Sequence, residues 1–180
     1  MKEFIIDNSP LEIETLYKII DKQLILRLST ESSKNVNDCR DYLDKKTNIS
    51  DSPLYGINTG FGSLYNVSIK DNDLSKLQHN LILSHACGVG DRVPVKIVKV
   101  ILLLKIITLS KGNSGIHIDT LHRLIFFYNK NIFPVIFKHG SLGASGDLSP
   151  LAHLSLPLIG EGKVYCNGSI KDVKEILNKF

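Results

Sequence analysis

Residues 140–150, Gly-Ser-Leu-Gly-Ala-Ser-Gly-Asp-Leu-Ser-Pro, hold the chain's most reactive combination of small side chains. At the centre of this run, Ala144, Ser145 and Gly146 are the residue types needed to build an electrophile from backbone. Gly146 has no side chain, so its amide nitrogen can approach the Ala144 carbonyl carbon and close a five-membered ring. Ala144 adds little steric hindrance on the other side, and glycine tolerates the φ values of so tight a turn. Loss of the Ser145 hydroxyl as water would leave its β-carbon as an exocyclic methylene conjugated to that ring. No standard side chain is a strong electrophile, and chemistry that needs one ordinarily borrows a cofactor. This loop would make its own.

Other readings of the same residues compete. Four small residues in succession also form ordinary turns. A serine nucleophile elbow requires G-x-S-x-G, and Asp147 occupies the fifth place. A phosphate loop requires Gly-Lys-Ser/Thr, whereas Gly162-Lys163 is followed by Val164. The flanks favour a site. Ser149-Pro150 reads as an N-cap with proline at the first helical position. A helix starting there would direct its positive end at the loop. Asp147, just before it, would orient the loop by accepting backbone hydrogen bonds.

The elements that must position this loop read as helices. Ser9-Pro10-Leu11-Glu12 has the form of a capping box, opening a helix that carries Leu16, Ile19, Ile20 and Leu24. A second helix is expected from near Glu31 to Lys46, with Val36, Cys39 and Leu43 on one face. Pro53 then introduces the stretch Tyr55 to Gly62, whose glycines do not fit the dinucleotide fingerprint G-x-G-x-x-G. Further helices are expected from about Asp73 to Cys87, from Pro94 to near Ser110, and from near Asp119 to Asn129. Pro157 should kink or end the helix that follows the loop. Asn167-Gly168 centres a small hairpin over Lys163 to Ile170, and residues 172–180 return to helix. The fold class is therefore mainly α, one unit without internal repeats.

Composition narrows the function. With 180 residues and 43% hydrophobic content, the chain can bury one core. The net charge is +4, and its 22 Lys and Arg are dispersed, with no basic stripe interleaved with aromatics, which argues against nucleic acid as a partner. Cys39, Cys87 and Cys166 lack C-x-x-C spacing and suit buried thiols in a reducing compartment. The start of the chain lacks the apolar core of a signal peptide, so cytoplasm is expected. The most apolar window, Val95 to Leu109, is interrupted by Lys96, Lys99 and Lys105 and reads as a buried helix, not a membrane span. His79, His117, His122, His139 and His153 show no H-x-x-x-H or H-E-x-x-H spacing, so no metal site is expected. His153 reads as structural support for the loop, and Glu161 as a turn residue.

Taken together, Tyr55 to Gly62, Ser84-His85-Ala86-Cys87-Gly88-Val89-Gly90 and Gly140 to Pro150 resemble the histidine ammonia-lyase family, within the wider aromatic amino-acid ammonia-lyases. The likeness continues through Leu104-Lys105-Ile106, Leu109 to Gly112, Ser114-Gly115, and Leu151-Ala152-His153 to Gly162. Residues 1–180 would then be the N-terminal portion of the ammonia-lyase fold, with its glycine-rich active-site loops and a small β-hairpin. The central helical bundle would be absent.

The resemblance implies that Ala144-Ser145-Gly146 cyclises with loss of two waters to 4-methylideneimidazole-5-one, with no external cofactor. It implies L-histidine as substrate and trans-urocanate and ammonia as products. Tyr55 aligns with a tyrosine implicated in proton transfer, a role that asks for a pKa below the ~10 of free tyrosine. Its plain alternative is a tyrosine packed over a glycine turn. His85 aligns with the histidine contacting the substrate's imidazole side, although its helical spacing from Leu81 and Gln78 also fits a half-buried, hydrogen-bonded residue. The family works as a homotetramer whose sites gather residues from several subunits, including an arginine for the substrate carboxylate beyond the portion matched here. Two alternatives stand beside this reading: a tyrosine or phenylalanine ammonia-lyase or aminomutase, and a truncated, non-catalytic association module.

Overall fold

The structure, a computed structural model, describes residues 2–49, 54–59, 71–142 and 145–179. Seven helices and seven short strands are present among the described residues. The chain opens with a crossover unit: β1 (Glu3–Ile6), α1 (Ile13–Asp21) and β2 (Ile25–Leu28), with the two strands parallel and Phe4 opposite Leu26. Ile6 and Leu26 face the core while Ile5 faces out, the alternation a strand imposes. Neither strand was expected from the sequence. The expected capping box does not form either. Helix α1 begins only at Ile13, with Glu12 in the N-cap position and no side-chain cap. Upstream, the Asp7 carboxylate accepts the Ser9 N–H at 2.9 Å, which holds that carboxyl below its usual pKa and Ser9 in a turn of its own.

Helix α2 (Thr30–Ile49) is capped by Ser29, whose hydroxyl accepts the Ser32 N–H at 3.0 Å. It is followed by α3 (Asp71–His85), β3 (Val89–Arg92), α4 (Val95–Ser110) and α5 (Ile118–Asn129). Helix α4 forms the spine of the core: Val98, Leu102, Leu103 and Ile106 have no exposed surface and pack with Leu121, Leu124 and Phe127 of α5. Its burial is incomplete, because Ile97 and Leu104 remain exposed on the opposite face. No helix among the described residues is long and apolar enough to cross a membrane.

Beyond α5 come β4 (Phe133–Pro134) and β5 (Phe137–His139), then α6 (Leu148–Ser155) and a 3-10 turn, Leu156–Ile159, where Pro157 ends the helix as expected. The hairpin is also as expected. Strands β6 (Lys163–Cys166) and β7 (Ser169–Asp172) pair Cys166 with Ser169 around Asn167 and Gly168, both at positive φ as a two-residue turn requires. Strand β4 adds to β6 as a third strand. Helix α7 (Val173–Leu177) follows, capped by the Asp172 side chain accepting the Lys174 N–H. Glu161 pairs with Lys174 at 3.2 Å on the surface. Of the three thiols expected to be buried, only Cys166 is; Cys39 is half-buried and Cys87 exposed, because Cys87 lies in a surface turn.

Among the described residues, two buried hydroxyls lack a partner, those of Ser32 and Tyr128. Tyr128 is 3% exposed, and its hydroxyl is buried without a hydrogen-bond partner. Burial pushes its pKa up to about 12. Its ring meets Phe133 edge-on at 6.4 Å and lies under the Lys99 ammonium at 5.3 Å, contacts that need only the ring. Tyr128→Phe should therefore raise unfolding free energy by about 1 kcal/mol, since removing an unpaired buried hydroxyl relieves its desolvation cost. Urea denaturation measures this; a loss of stability would show that the hydroxyl is bonded.

Candidate active site

The loop is held between β5 and α6. Its first described residues, Gly140 to Leu142, leave the sheet, and Leu142 projects fully into solvent. Ala144 lies outside the described residues. Ser145 and Gly146 are exposed, and Gly146 has a φ of +65°, a left-handed value that favours glycine at this place in the triplet. The Ser145 hydroxyl donates to the Asp147 carboxylate at 2.5 Å. Asp147 thus holds the serine side chain, not the backbone hydrogen bonds expected of it.

The helix start also differs from expectation. Asp147 occupies the N-cap position of α6 and its carbonyl accepts the Leu151 N–H at 2.9 Å. Ser149 and Pro150 lie inside the first turn. Proline is tolerated there because the first four N–H groups of a helix have no internal partner. Ser149, far from capping in solvent, is 4% exposed. The positive end of α6 still faces the Ser145–Asp147 segment, as the sequence implies.

Helix α3 packs on α6 and carries the second candidate. His85 Nδ1 lies 2.7 Å from the Leu81 carbonyl and 3.2 Å from the Ser84 hydroxyl. A carbonyl can only accept, so the neutral ring carries its proton on Nδ1 and leaves Nε2 as an acceptor. The one-turn spacing of Leu81 and His85 creates this bond and fixes the ring on the helix end. This is the half-buried, hydrogen-bonded histidine that the spacing allowed.

The turn after α3 is tied directly to the loop. Cys87 Sγ donates to the Gly140 carbonyl at 3.5 Å and approaches the Ser149 hydroxyl at 3.9 Å. Strand β3 pairs antiparallel with β5, setting Val89 opposite His139. The Gly88 N–H donates to His153 Nε2 at 2.9 Å. His153 is 7% exposed, stacks edge-on against Phe137 at 5.3 Å, and burial alone lowers its pKa below the usual 6.5. The sequence marks Cys87, Gly88 and Ser149 within its motifs, but not their contacts with one another or with His153; no local pattern links residues 65 apart.

Tyr55 belongs to the described segment 54–59. It is 63% exposed at the head of a turn in which Leu54 N–H donates to Asn58 Oδ1 at 2.7 Å and Gly56 N–H to Thr59 Oγ1 at 3.3 Å. Among the described residues, no three His, Cys, Asp or Glu side chains are grouped to hold a metal.

A mainly helical frame that presents a Ser-Gly-Asp turn at a helix start, braced against a histidine-bearing helix end, defines the N-terminal part of an ammonia-lyase-type fold. The family described as aromatic amino acid lyase matches residues 11–180, and the chain belongs to it. The chain is 42% identical to histidine ammonia-lyase of Myxococcus xanthus over 175 residues, 97% of this chain but 34% of that protein. It therefore spans about a third of the length of the curated relatives it matches. The crystal structure of ergothionase from Treponema denticola superposes with a TM-score of 0.92 at 30% identity, covering 99% of this chain and 35% of that one. Tyrosine aminomutase from Streptomyces globisporus superposes at 0.88 with 28% identity, covering 98% and 33%.

Proposed function

We propose that this chain is the electrophile-bearing portion of a histidine ammonia-lyase, an enzyme that converts L-histidine to trans-urocanate and ammonia, and that these 180 residues alone do not turn it over. The observation that carries the reading is the Ser145–Gly146–Asp147 turn: a glycine at left-handed φ, and a serine hydroxyl 2.5 Å from a carboxylate. In the cyclisation, the Gly146 nitrogen attacks the Ala144 carbonyl carbon and that oxygen leaves as the first water. The Ser145 Cα–H and hydroxyl leave as the second. Asp147 holds the hydroxyl that departs. The resulting 4-methylideneimidazole-5-one supplies an electrophilic carbon for the substrate amine or ring.

Substrate choice rests on His85. With its proton held by the Leu81 carbonyl, Nε2 is set to accept an N–H, which an imidazole ring offers and a phenyl ring does not. The 42% identity to the Myxococcus xanthus enzyme supports the same substrate. Tyr55 is assigned to proton transfer in this reading, and a cytoplasmic homotetramer built with the remaining two-thirds of the fold to catalysis. The likeness to tyrosine aminomutase supports a second reading, a tyrosine- or phenylalanine-directed lyase or aminomutase. A non-catalytic association module is the outcome if no ring forms.

The intact mass of the purified chain tests the proposal. A deficit of two waters, located in the peptide spanning residues 144–146, is expected. An unmodified mass would mean that these 180 residues do not drive cyclisation and act as a non-catalytic portion.

A further inference from the structure

We propose that His153 is a positioning residue: through Gly88 it fixes the helix end that carries His85 against α6, the helix that opens from the Ser145 loop. The inference rests on the functional reading above for its consequence, though not for its geometry. Two backbone segments and one imidazole meet at this point. A Cβ on Gly88 would lie 2.7 Å from His153 Nε2 and 3.1 Å from Phe137 Cβ, so only glycine lets the turn reach the imidazole. On its other side, a Cβ on Gly140 would lie 2.7 Å from the Gly88 Cα. Gly88 is therefore sandwiched between the loop's first residue and the ring, and the 2.9 Å hydrogen bond sets the spacing of all three.

The bond needs a neutral ring. Nε2 accepts the Gly88 N–H, so the proton sits on Nδ1. Protonation would place two N–H donors face to face, and the clamp would open. Burial opposes that protonation, lowering the pKa from 6.5. Few charges bear on the ring. Strand β4 and the 3-10 turn carry no titratable group; α3 and its turn carry Asp71, Asp73, Lys76, His79, His85 and Cys87, and β5 carries Lys138 and His139, both exposed, yet burial is the one cause of the His153 shift. The direction of the pH effect follows. With the folded pKa below the unfolded 6.5, stability is complete above that value and falls as pH drops from 6.5 to the folded pKa.

Amide exchange at Gly88, followed by NMR in the full 180-residue chain, reads the clamp directly. His153→Gln offers a carbonyl acceptor, and His153→Phe keeps the ring without one. The Phe variant should exchange about tenfold faster at Gly88, the effect of losing one hydrogen bond. The Gln variant should stay within about threefold of the parent and lose the parent's acid-side titration of the Gly88 resonance. Unchanged protection in the Phe variant, or equal loss in both, would overturn the proposal, since packing alone would then hold the turn. If the Phe variant does not fold, the parent decides: the Gly88 amide and the His153 ring nitrogens should titrate together below 6.5, and independent titrations would overturn it. Exchange does not require the cyclised loop. An unmodified mass therefore removes the functional reading while leaving the clamp intact, and lost protection removes the clamp alone.

Discussion

Replacing Ser145 with alanine should give a folded chain with the full mass of its sequence, lacking the two-water deficit expected of the parent. The methylidene carbon can come only from a β-carbon that carries a leaving hydroxyl, and alanine has none. The substitution is otherwise mild. Ser145 is exposed and its hydroxyl bonds to the neighbouring Asp147, so stability should change by no more than about 0.5 kcal/mol. In any preparation that releases ammonia from L-histidine, turnover should fall by at least about 10³-fold, the scale of removing a group through which all the chemistry passes. Mass spectrometry and circular dichroism read the two effects separately. A Ser145→Ala chain still lighter by two waters would disprove the origin assigned to the electrophile.

His85→Phe should change the substrate, not the fold. The helix end keeps its backbone bond from Ala86 N–H to the Ile82 carbonyl, while the Nε2 acceptor disappears. A site that has lost its partner for a buried imidazole N–H leaves that group unsatisfied. Histidine turnover should then fall by about 10²-fold or more in kcat/KM. Phenylalanine turnover should change by less than about tenfold, because its ring carries no N–H or O–H for Nε2 to accept. Where the chain alone turns nothing over, the same contrast is read as histidine and phenylalanine affinities. Equal losses for all substrates would remove histidine as the assignment.

The residues of the candidate site were legible wherever chemistry is local. Ala144-Ser145-Gly146 and Asp147 are adjacent in the chain, and His85 and Leu81 are one helical turn apart. The long helices were legible from their spacing and from Pro94, which sits at the N-cap of α4 as expected of a helix opener. The Asn167-Gly168 hairpin was legible from its turn. What failed depends on partners far away in sequence. A four-residue strand carries too few alternations to be recognised alone, so β1 and β2 emerge only when they pair across α1. The same holds for β3 and β5, whose pairing brings the Gly88 turn to the loop. Prolines misled at two helix starts: Pro150 lies within the first turn of α6, where its missing N–H is harmless, whereas Pro10 stands outside α1, which begins only at Ile13.

The first strand pair also bears on how the chain keeps to itself. The outer edge of β2 presents the Leu26 N–H and carbonyl, and both are taken by the Asn129 side-chain amide, at 2.8 and 2.9 Å, from 103 residues away. Strands β1 and β2 lie close in sequence and can meet as soon as α1 has formed, but Asn129 arrives only with the end of α5. Until then an open strand edge is available to any extended segment, including that of another copy emerging nearby. One asparagine, once α5 has formed, thus guards the Leu26 edge against pairing with another strand.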